Sequence, residues 1–323
     1  MSRPDNSPEV RRAFLGATDV AAVVGVSPYR TPLQVWLEKT GHAPATEPSP
    51  AMKRGVRFEP IVADMYTEAT GRPTMAAERV VHPRFDYLTA APDRVACGED
   101  AAPCYVELKT HSPWLRDGYG PEGTDAVPDH EYVQVTWQLH VGLQARDIEA
   151  DHADIAVLFG TDDFGVWRVQ YNAELGEALE TRARRFWEEH VLPEVPPEPT
   201  AADVDFMRRV YPLHTERVMR ADEQLESLIN ALRVARAELA QQEEEVNALT
   251  AIIQAAMGDA AVLESSHGKI TWRTSKPTIR RTCDFEALRA ADPDLYARVV
   301  TEQEVPGVRR FVVPRSWGKG EEQ

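Results

Sequence analysis

The stretch Ala91–Thr110, "APDRVACGEDAAPCYVELKT", decides how the rest of the chain is read. It holds an acid after a proline, Asp93, another acid fourteen residues on, Glu107, and a lysine two positions later, Lys109. If "YLTAAPD" and "CYVELKT" are adjacent strands, alternation puts Glu107 and Lys109 on one face, with Asp93 beside them at the end of the preceding strand. Two neighbouring carboxylates repel, a cost that is tolerable when a divalent cation lies between them. Magnesium takes hard oxygen ligands and keeps several waters, so two protein carboxylates suffice. A lysine one side chain away can orient or deprotonate a water and stabilise phosphate charge, which is what phosphodiester cleavage requires. The bland alternative is a solvated acid–lysine pair on a strand, worth little, so the pattern depends on its surroundings.

Upstream, residues 18–24 read as a short helix capped by Thr18 or Asp19 and stopped by Gly25. "SPYRTPLQVWLEKTG" follows, with Thr31 as cap, Pro32 at the first helical position and Gly41 at the end. A third helix through "KRGVRFEPIVADMYTEATG" ends at Gly71, its apolar Phe58, Ile61, Val62, Met65, Tyr66 and Ala69 recurring at helical spacing. "ERVVHP", "DYLTAAPD" and "CYVELKT" then read as strands. "DHEYVQVTWQLHVGL" reads as a helix, "ADIAVLFG" and "GVWRVQYN" as strands, and "AELGEALETRARRFWEEHV" as a charged helix. The order predicts an α/β core with a mixed central sheet flanked by helices.

The proline-rich, acidic segment 196–218 reads as a linker that closes a domain over residues 1–195. Over 219–258 Leu225, Leu232, Leu239, Val246 and Ile253 recur at seven-residue spacing, with Leu228, Ala235, Gln242, Leu249 and Ala256 on the companion seam, the pattern of a long coiled-coil-like helix. Residues 259–323 read as a small α+β module, with strands near "GKITWRT" and "RRFVVP" and a helix around "DFEALRAAD". No acid occurs between Glu264 and Asp284, where Lys269, Arg273, Lys276, Arg280 and Arg281 surround Trp272. That hairpin is a candidate DNA contact.

Composition sets the outer bounds. The chain has 323 residues, 43% hydrophobic and 27% charged, enough for one substantial core and a second, smaller module. No apolar run approaches the roughly 20 residues that span a bilayer, and "MSRPDNSPEVRR" lacks the apolar region of a secretory signal. Cys97, Cys104 and Cys283 are too few for an iron–sulfur cluster and odd in number, so the expectation is a reduced, cytoplasmic protein without a membrane partner. The net charge of −16 argues mildly against broad, non-specific nucleic-acid binding, yet it leaves room for a local basic groove because screening confines charge effects to about 10 Å. His82, His111 and His140 read as structural or surface residues.

Taken together and in order, "GATDVAAVVGVSPYRTPLQVWLEKTG", "RGVRFEPIVADMYTEATG", "TAAPDR", "VELKT" and "YVQVTWQL" resemble the YqaJ-like viral recombinase family, relatives of phage lambda exonuclease within the PD-(D/E)xK nuclease superfamily. The resemblance implies a restriction-endonuclease-like core. It implies that Asp93, Glu107 and the backbone carbonyl of Leu108 bind metal, that Lys109 is the catalytic lysine, and that Glu59 is a further acid at the metal, acting through water. Gln134 would orient the attacking water, with Gln138 one turn further along the same helix as a possible DNA contact. Arg11 and Thr18, with Arg12 as a rival, would grip a terminal 5′-phosphate. The chain departs from the lambda enzyme at Ala91, where that enzyme has a phosphate-contacting serine, which puts the strength of that grip in question.

The expected activity is a magnesium-dependent exonuclease on linear duplex DNA, with manganese able to substitute and a pair of ions at the site. The resemblance adds 5′→3′ polarity, production of 3′ single strands for a phage-type annealing protein, and a homo-oligomer, a trimer by analogy. A structure-specific endonuclease and a non-catalytic DNA-end-binding accessory protein are the alternatives, since one fold hosts several activities.

Overall fold

A computed structural model describes residues 8–43, 49–98, 102–279, 282–301, 303, 310–314 and 317. The chain divides into two compact units, Met1–Tyr211 and Pro212–Gln323.

The first unit begins with helices α1 (Pro8–Arg12), α2 (Ala17–Val23), α3 (Pro32–Lys39) and α4 (Pro50–Thr70). Strands β1 (Thr74–Ala76), β2 (Val80–Val81), β3 (Thr89–Ala90), β4 (Arg94–Ala96) and β5 (Cys104–His111) follow. Helix α5 (Asp129–Ala145), strands β6 (His152–Phe159) and β7 (Asp163–Gln170), and helices α6 (Ala173–Phe186) and α7 (Val204–Val210) complete it. Five strands form one mixed sheet in the order β1-β4-β5-β6-β7, parallel only between β5 and β6, while β2 and β3 pair separately.

Alternation along β5 sorts the two faces of this sheet. Cys104 and Val106 pack with Val62 and Tyr66 of α4 and with Ala156 and Leu158 of β6. Tyr105 instead packs with Val135 and Leu139 of α5, and Glu107 and Lys109 share its parity and its face. Helix α5 is buried on every side: its Val133, Trp137 and Val141 join α2, α3 and α6 in a third apolar layer. Gly142 lets α5 lie this close to β5, since a Cβ there would come within 2.5 Å of the Tyr105 hydroxyl.

Three local expectations are corrected. Helix α2 is capped by Gly16, not by Thr18 or Asp19; Asp19 is its third residue and reaches back to accept the Gly16 N–H at 3.1 Å. The strand carrying Thr89 and Ala90 does not neighbour β5. It pairs with β2, and the short β4 after Asp93 lies beside β5, its register running from Arg94↔Val106 to Ala96↔Cys104. The proline-rich segment is not wholly a linker: buried Phe206 packs on the first unit's core, and buried Asp203 accepts from Thr31 Oγ1 and from the Thr200 N–H, so the chain up to Tyr211 stays with that unit.

The second unit holds α8 (Glu223–Met257), the hairpin β8 (Val262–Ser265) and β9 (Gly268–Thr271), and α9 (Phe285–Ala291) and α10 (Pro293–Val299). The described residues of the other expected strand, 310–314, form none. Among the described residues no helix is long and apolar enough to cross a membrane.

Candidate active site

The sheet and α5 bring the polar residues of the opening motif together. Asp93 immediately precedes β4, and its Oδ2 accepts the Leu108 N–H at 2.9 Å. Leu108 lies beyond the last β4–β5 pair, so this amide faces a stretch of strand edge with no ladder partner. The carbonyl of a strand residue points to the same side as its N–H, which puts the Leu108 carbonyl on the Asp93 edge.

Glu107, 5% exposed, receives three hydrogen bonds. Lys109 Nζ and Gln134 Nε2 both donate to its Oε1, at 2.7 and 2.5 Å, and Gln138 Nε2 donates to Oε2 at 2.7 Å. Lys109 also donates to Gln134 Oε1 at 2.9 Å, closing a three-membered ring of contacts. Glu59, on α4, stands 3.7 Å from the Arg94 guanidinium.

The electrostatics follow from crowding acids in a dry place. Burial, then the charge of Glu107, pushes the Asp93 carboxyl up to about 8, against the smaller pull of Lys109 and the Leu108 N–H; Glu59 adds to the rise. Burial alone would lower the Lys109 ammonium, but Glu107, Glu131 and Asp93 outweigh it and hold it above the usual lysine range. Lys109 is therefore held in its charged form in this arrangement.

Sequence reasoning missed Glu131, which is 1% exposed and accepts from Tyr119 at 2.7 Å while lying 2.8 Å from His111 Nε2. Burial opposes ionisation there, yet His111 and Lys109 draw the carboxyl below its usual value. A signal was present: residues 131, 134 and 138 form a polar stripe on a helix otherwise made of core residues.

The recess above Lys109 and Gln134 is lined by Thr18, Tyr29, Arg30, His111, His130 and Glu131, among others. Thr18 thus shares the site, but Arg12 does not reach it; its guanidinium lies against Gly41. The cation on the recess wall is Arg30, absent from the candidates above. It bonds Asp19 at 2.6 Å and Glu38 at 2.7 Å, in a cluster where Arg11 lies 3.4 Å from Glu38 and buried Lys39 bonds Asp19 at 2.7 Å. Three cations thus surround two carboxylates. Although burial opposes it, Lys39, Arg30 and Arg11 hold Asp19 far below the usual carboxylate range.

Gln138, a candidate DNA contact, is corrected: at 1% exposure it cannot touch a polymer, and its amide nitrogen donates to Glu107. On the hairpin of the second unit Lys269 pairs with Glu264 at 2.7 Å, while Trp272 and Arg273 are exposed. Arg280 and Arg281 lie outside the described residues.

Two further groupings have metal-like composition. In the first, Asp154 already takes Arg168 through two nitrogens, at 2.9 and 3.1 Å, and the Tyr66 hydroxyl at 2.8 Å, which occupies the carboxylate near Cys104 and His152. In the second, His82 Nδ1 accepts the Arg84 N–H, so the neutral ring carries its proton on Nε2, the atom facing Glu180 and His140. Burial lowers the His82 pKa and favours that neutral form. Both groupings lie within structural hydrogen-bond networks, although His82 Nε2 and His152 Nε2 are buried without a hydrogen-bond partner.

Residues 8–146 match the family model of the YqaJ-like viral recombinase domain. The chain is 25% identical over 298 residues to YqaJ of Bacillus subtilis (strain 168), covering 90% of this chain and 89% of that protein. Among solved structures it is similar to an alkaline exonuclease, LHK-Exo, from Laribacter hongkongensis: 17% identity, 62% of this chain and 94% of that one, TM-score 0.45. A phage-related exonuclease from Haemophilus somnus 129PT is similar at 12% identity over 58% of this chain and 99% of that one, TM-score 0.38.

Proposed function

From the match of residues 8–146 to the YqaJ-like viral recombinase domain, we propose that this chain is a divalent-metal-dependent exonuclease acting on linear duplex DNA ends. It degrades the strand with the 5′ end and leaves a 3′ single strand for an annealing protein. The observation that carries the reading is the convergence on Glu107: Lys109, Gln134 and Gln138 all bond its carboxylate, next to Asp93 anchored on the Leu108 N–H.

The donor set fits a hard cation. Asp93, Glu107 and the Leu108 carbonyl are all oxygen donors, with Glu59 near enough to raise the Asp93 pKa, and such a set suits magnesium or manganese and not a soft metal. When bound, such ions supply the clamp on the attacking and leaving oxygens of phosphodiester hydrolysis. The protein's own part is positioning. Gln138 holds one oxygen of Glu107, which fixes the plane of that carboxylate. Lys109, kept protonated, presents a positive charge where the scissile phosphate gathers negative charge. Gln134, tied to both Glu107 and Lys109, offers its amide to the attacking water. Thr18 and Arg30, on the same recess wall, bind the terminal phosphate, with Arg11 reinforcing Arg30 through Glu38. The exposed Trp272 and Arg273 of the second unit supply a separate, non-specific DNA contact.

The test is digestion of a duplex labelled at its 5′ or 3′ end, with magnesium, with manganese and with chelator, by the wild type and Asp93→Ala. Metal-dependent release of 5′ nucleotides, lost in the variant and absent on a covalently closed circle, is the expected outcome. Cutting of the circle points to an endonuclease. Retained end binding without cleavage in either metal makes it a binding protein.

A further inference from the structure

Helix α8 is 35 residues long, about 50 Å, and is capped by the Asp222 carboxylate on the Leu225 N–H at 2.8 Å. Among the described residues its seam is largely exposed: Leu228 is 61% exposed, Leu239 53%, Val246 61% and Leu249 54%, with Leu232 and Ile253 less so and Leu225 half-buried. A heptad seam of this length is the surface against which another helix packs. We propose that α8 pairs with α8 of a second copy of this chain, antiparallel and in one register. The proposal is independent of the nuclease reading.

Packing chooses the orientation. Leu225, Leu232, Leu239, Val246 and Ile253 occupy one core position, and Leu228, Ala235, Gln242, Leu249 and Ala256 the other. In a parallel pair each residue meets itself, so two layers become alanine on alanine and one buries glutamine on glutamine. The first leaves holes and the second leaves amides to be satisfied in the core. In an antiparallel pair the two positions face each other. Leu225 then meets the partner's Ala256, Leu232 the partner's Leu249, Leu239 the partner's Gln242, Val246 the partner's Ala235, and Ile253 the partner's Leu228. Every layer has a large aliphatic residue, and the small residues sit opposite large ones.

Charge chooses the same orientation and then the register. Parallel helices would set Glu238 beside the partner's Glu243, twice, with no attractive pair in return. The antiparallel pair sets Arg236 beside the partner's Glu243, twice, on one flank, and a repulsive Glu238 beside the partner's Glu245, also twice, on the other, so the attractive pairs offset the repulsive ones instead of being absent. A slip of one heptad in one direction puts Arg236 beside the partner's Arg236; a slip in the other puts Glu243 beside the partner's Glu243. The register that pairs all five layers is also the only one of the three that pairs opposite charges there.

The test uses the full chain with Cys97→Ser and Cys283→Ser, the buried Cys104 kept. In that background Leu225→Cys and Ala256→Cys are introduced together, and Leu225→Cys alone. Oxidation is expected to give a covalent dimer from the double-cysteine chain and none from Leu225→Cys alone. Both cysteines lie on one straight helix 31 residues apart, so they cannot close on each other. The cross-link reads α8 itself whatever contacts the first unit makes. A charge series in sedimentation equilibrium gives the second readout. Arg236→Glu and Glu243→Arg are each expected to weaken self-association roughly tenfold, two flank pairs passing from attraction to repulsion, and the double exchange to restore it. A cross-link from Leu225→Cys alone, no covalent dimer from the double-cysteine chain, or a Glu243→Arg chain that associates more tightly overturns the proposal.

Discussion

Lys109 and Glu107, two positions apart on β5, are joined by a 2.7 Å ion pair, and Gln134 bonds both of them. The pair holds Lys109 in its charged form, so its role is electrostatic and geometric. Lys109→Ala is expected to lower the cleavage rate about 100- to 1,000-fold, the usual cost of losing one charge-stabilising donor. Lys109→Arg, which keeps the charge and changes the shape, retains a measurable fraction. Single-turnover digestion of an end-labelled duplex checks both, and a lysine acting as base would leave the arginine variant as inactive as the alanine one.

Asp93 gives the pH dependence. Its folded-state pKa is raised to about 8, above the ordinary carboxylate value of about 4, so between those pH values the folded protein holds a proton that the unfolded chain has lost. The contribution of Asp93 to stability without metal is then greatest below that window and falls as pH rises through it. Divalent metal must displace the same proton, so its affinity rises across the window and levels off above pH 8. Asp93→Asn removes both effects: the variant is expected to be more stable than wild type without metal at pH 8.5, by about a few kcal/mol, and to bind manganese weakly at any pH. Denaturant titrations at pH 5.5 and 8.5 with chelator measure the first, and isothermal calorimetry with manganese the second.

In the proposed nuclease Gln138 acts only through Glu107, since at 1% exposure it is out of reach of a DNA substrate. Gln138→Ala should lower the catalytic rate about ten- to a hundredfold, the range for a residue that orients a metal ligand, without weakening binding of duplex ends. Fluorescence anisotropy of a labelled duplex in calcium, beside turnover in magnesium, separates the two quantities. A loss of end affinity with an unchanged rate would contradict the assigned role.

How much of this was legible in the sequence depends on the range of each interaction. The acid, acid and lysine of the opening motif were readable because strand parity fixes the face of Glu107 and Lys109 locally. Gln134 came with them through the family pattern. Gln138 was placed on the right helix and given the wrong surroundings, because neighbours on α5 differ by a fraction of a turn and only tertiary packing sets which of them are sealed. Asp19 was read as a cap from its residue type. Its main partners, Lys39 and Arg30, are twenty and eleven residues away, and no local rule pairs them. The same blindness to distance made 196–218 look like a linker, although Asp203 reaches Thr31 across 172 positions.

Arg30 carries the last prediction. Basic side chains near the first helix were expected to recognise a 5′-phosphate, and Arg11 and Arg12 were the candidates by position. The recess that contains Lys109 and Gln134 is walled by Arg30 and Thr18, while Arg12 lies against Gly41. Arg30 is held by Asp19 and Glu38, so its guanidinium is fixed before substrate arrives, and the excess of three cations over two acids leaves that wall net positive. Arg30→Ala is expected to reduce the preference for a 5′-phosphorylated over a 5′-hydroxyl end by about tenfold or more, the worth of one charge-assisted contact. Arg12→Ala leaves that preference unchanged. Because the measurement is a ratio of two rates on one protein preparation, a loss of folded protein cancels from it. Equal ratios for Arg30→Ala and the wild type would remove Arg30 from the phosphate site.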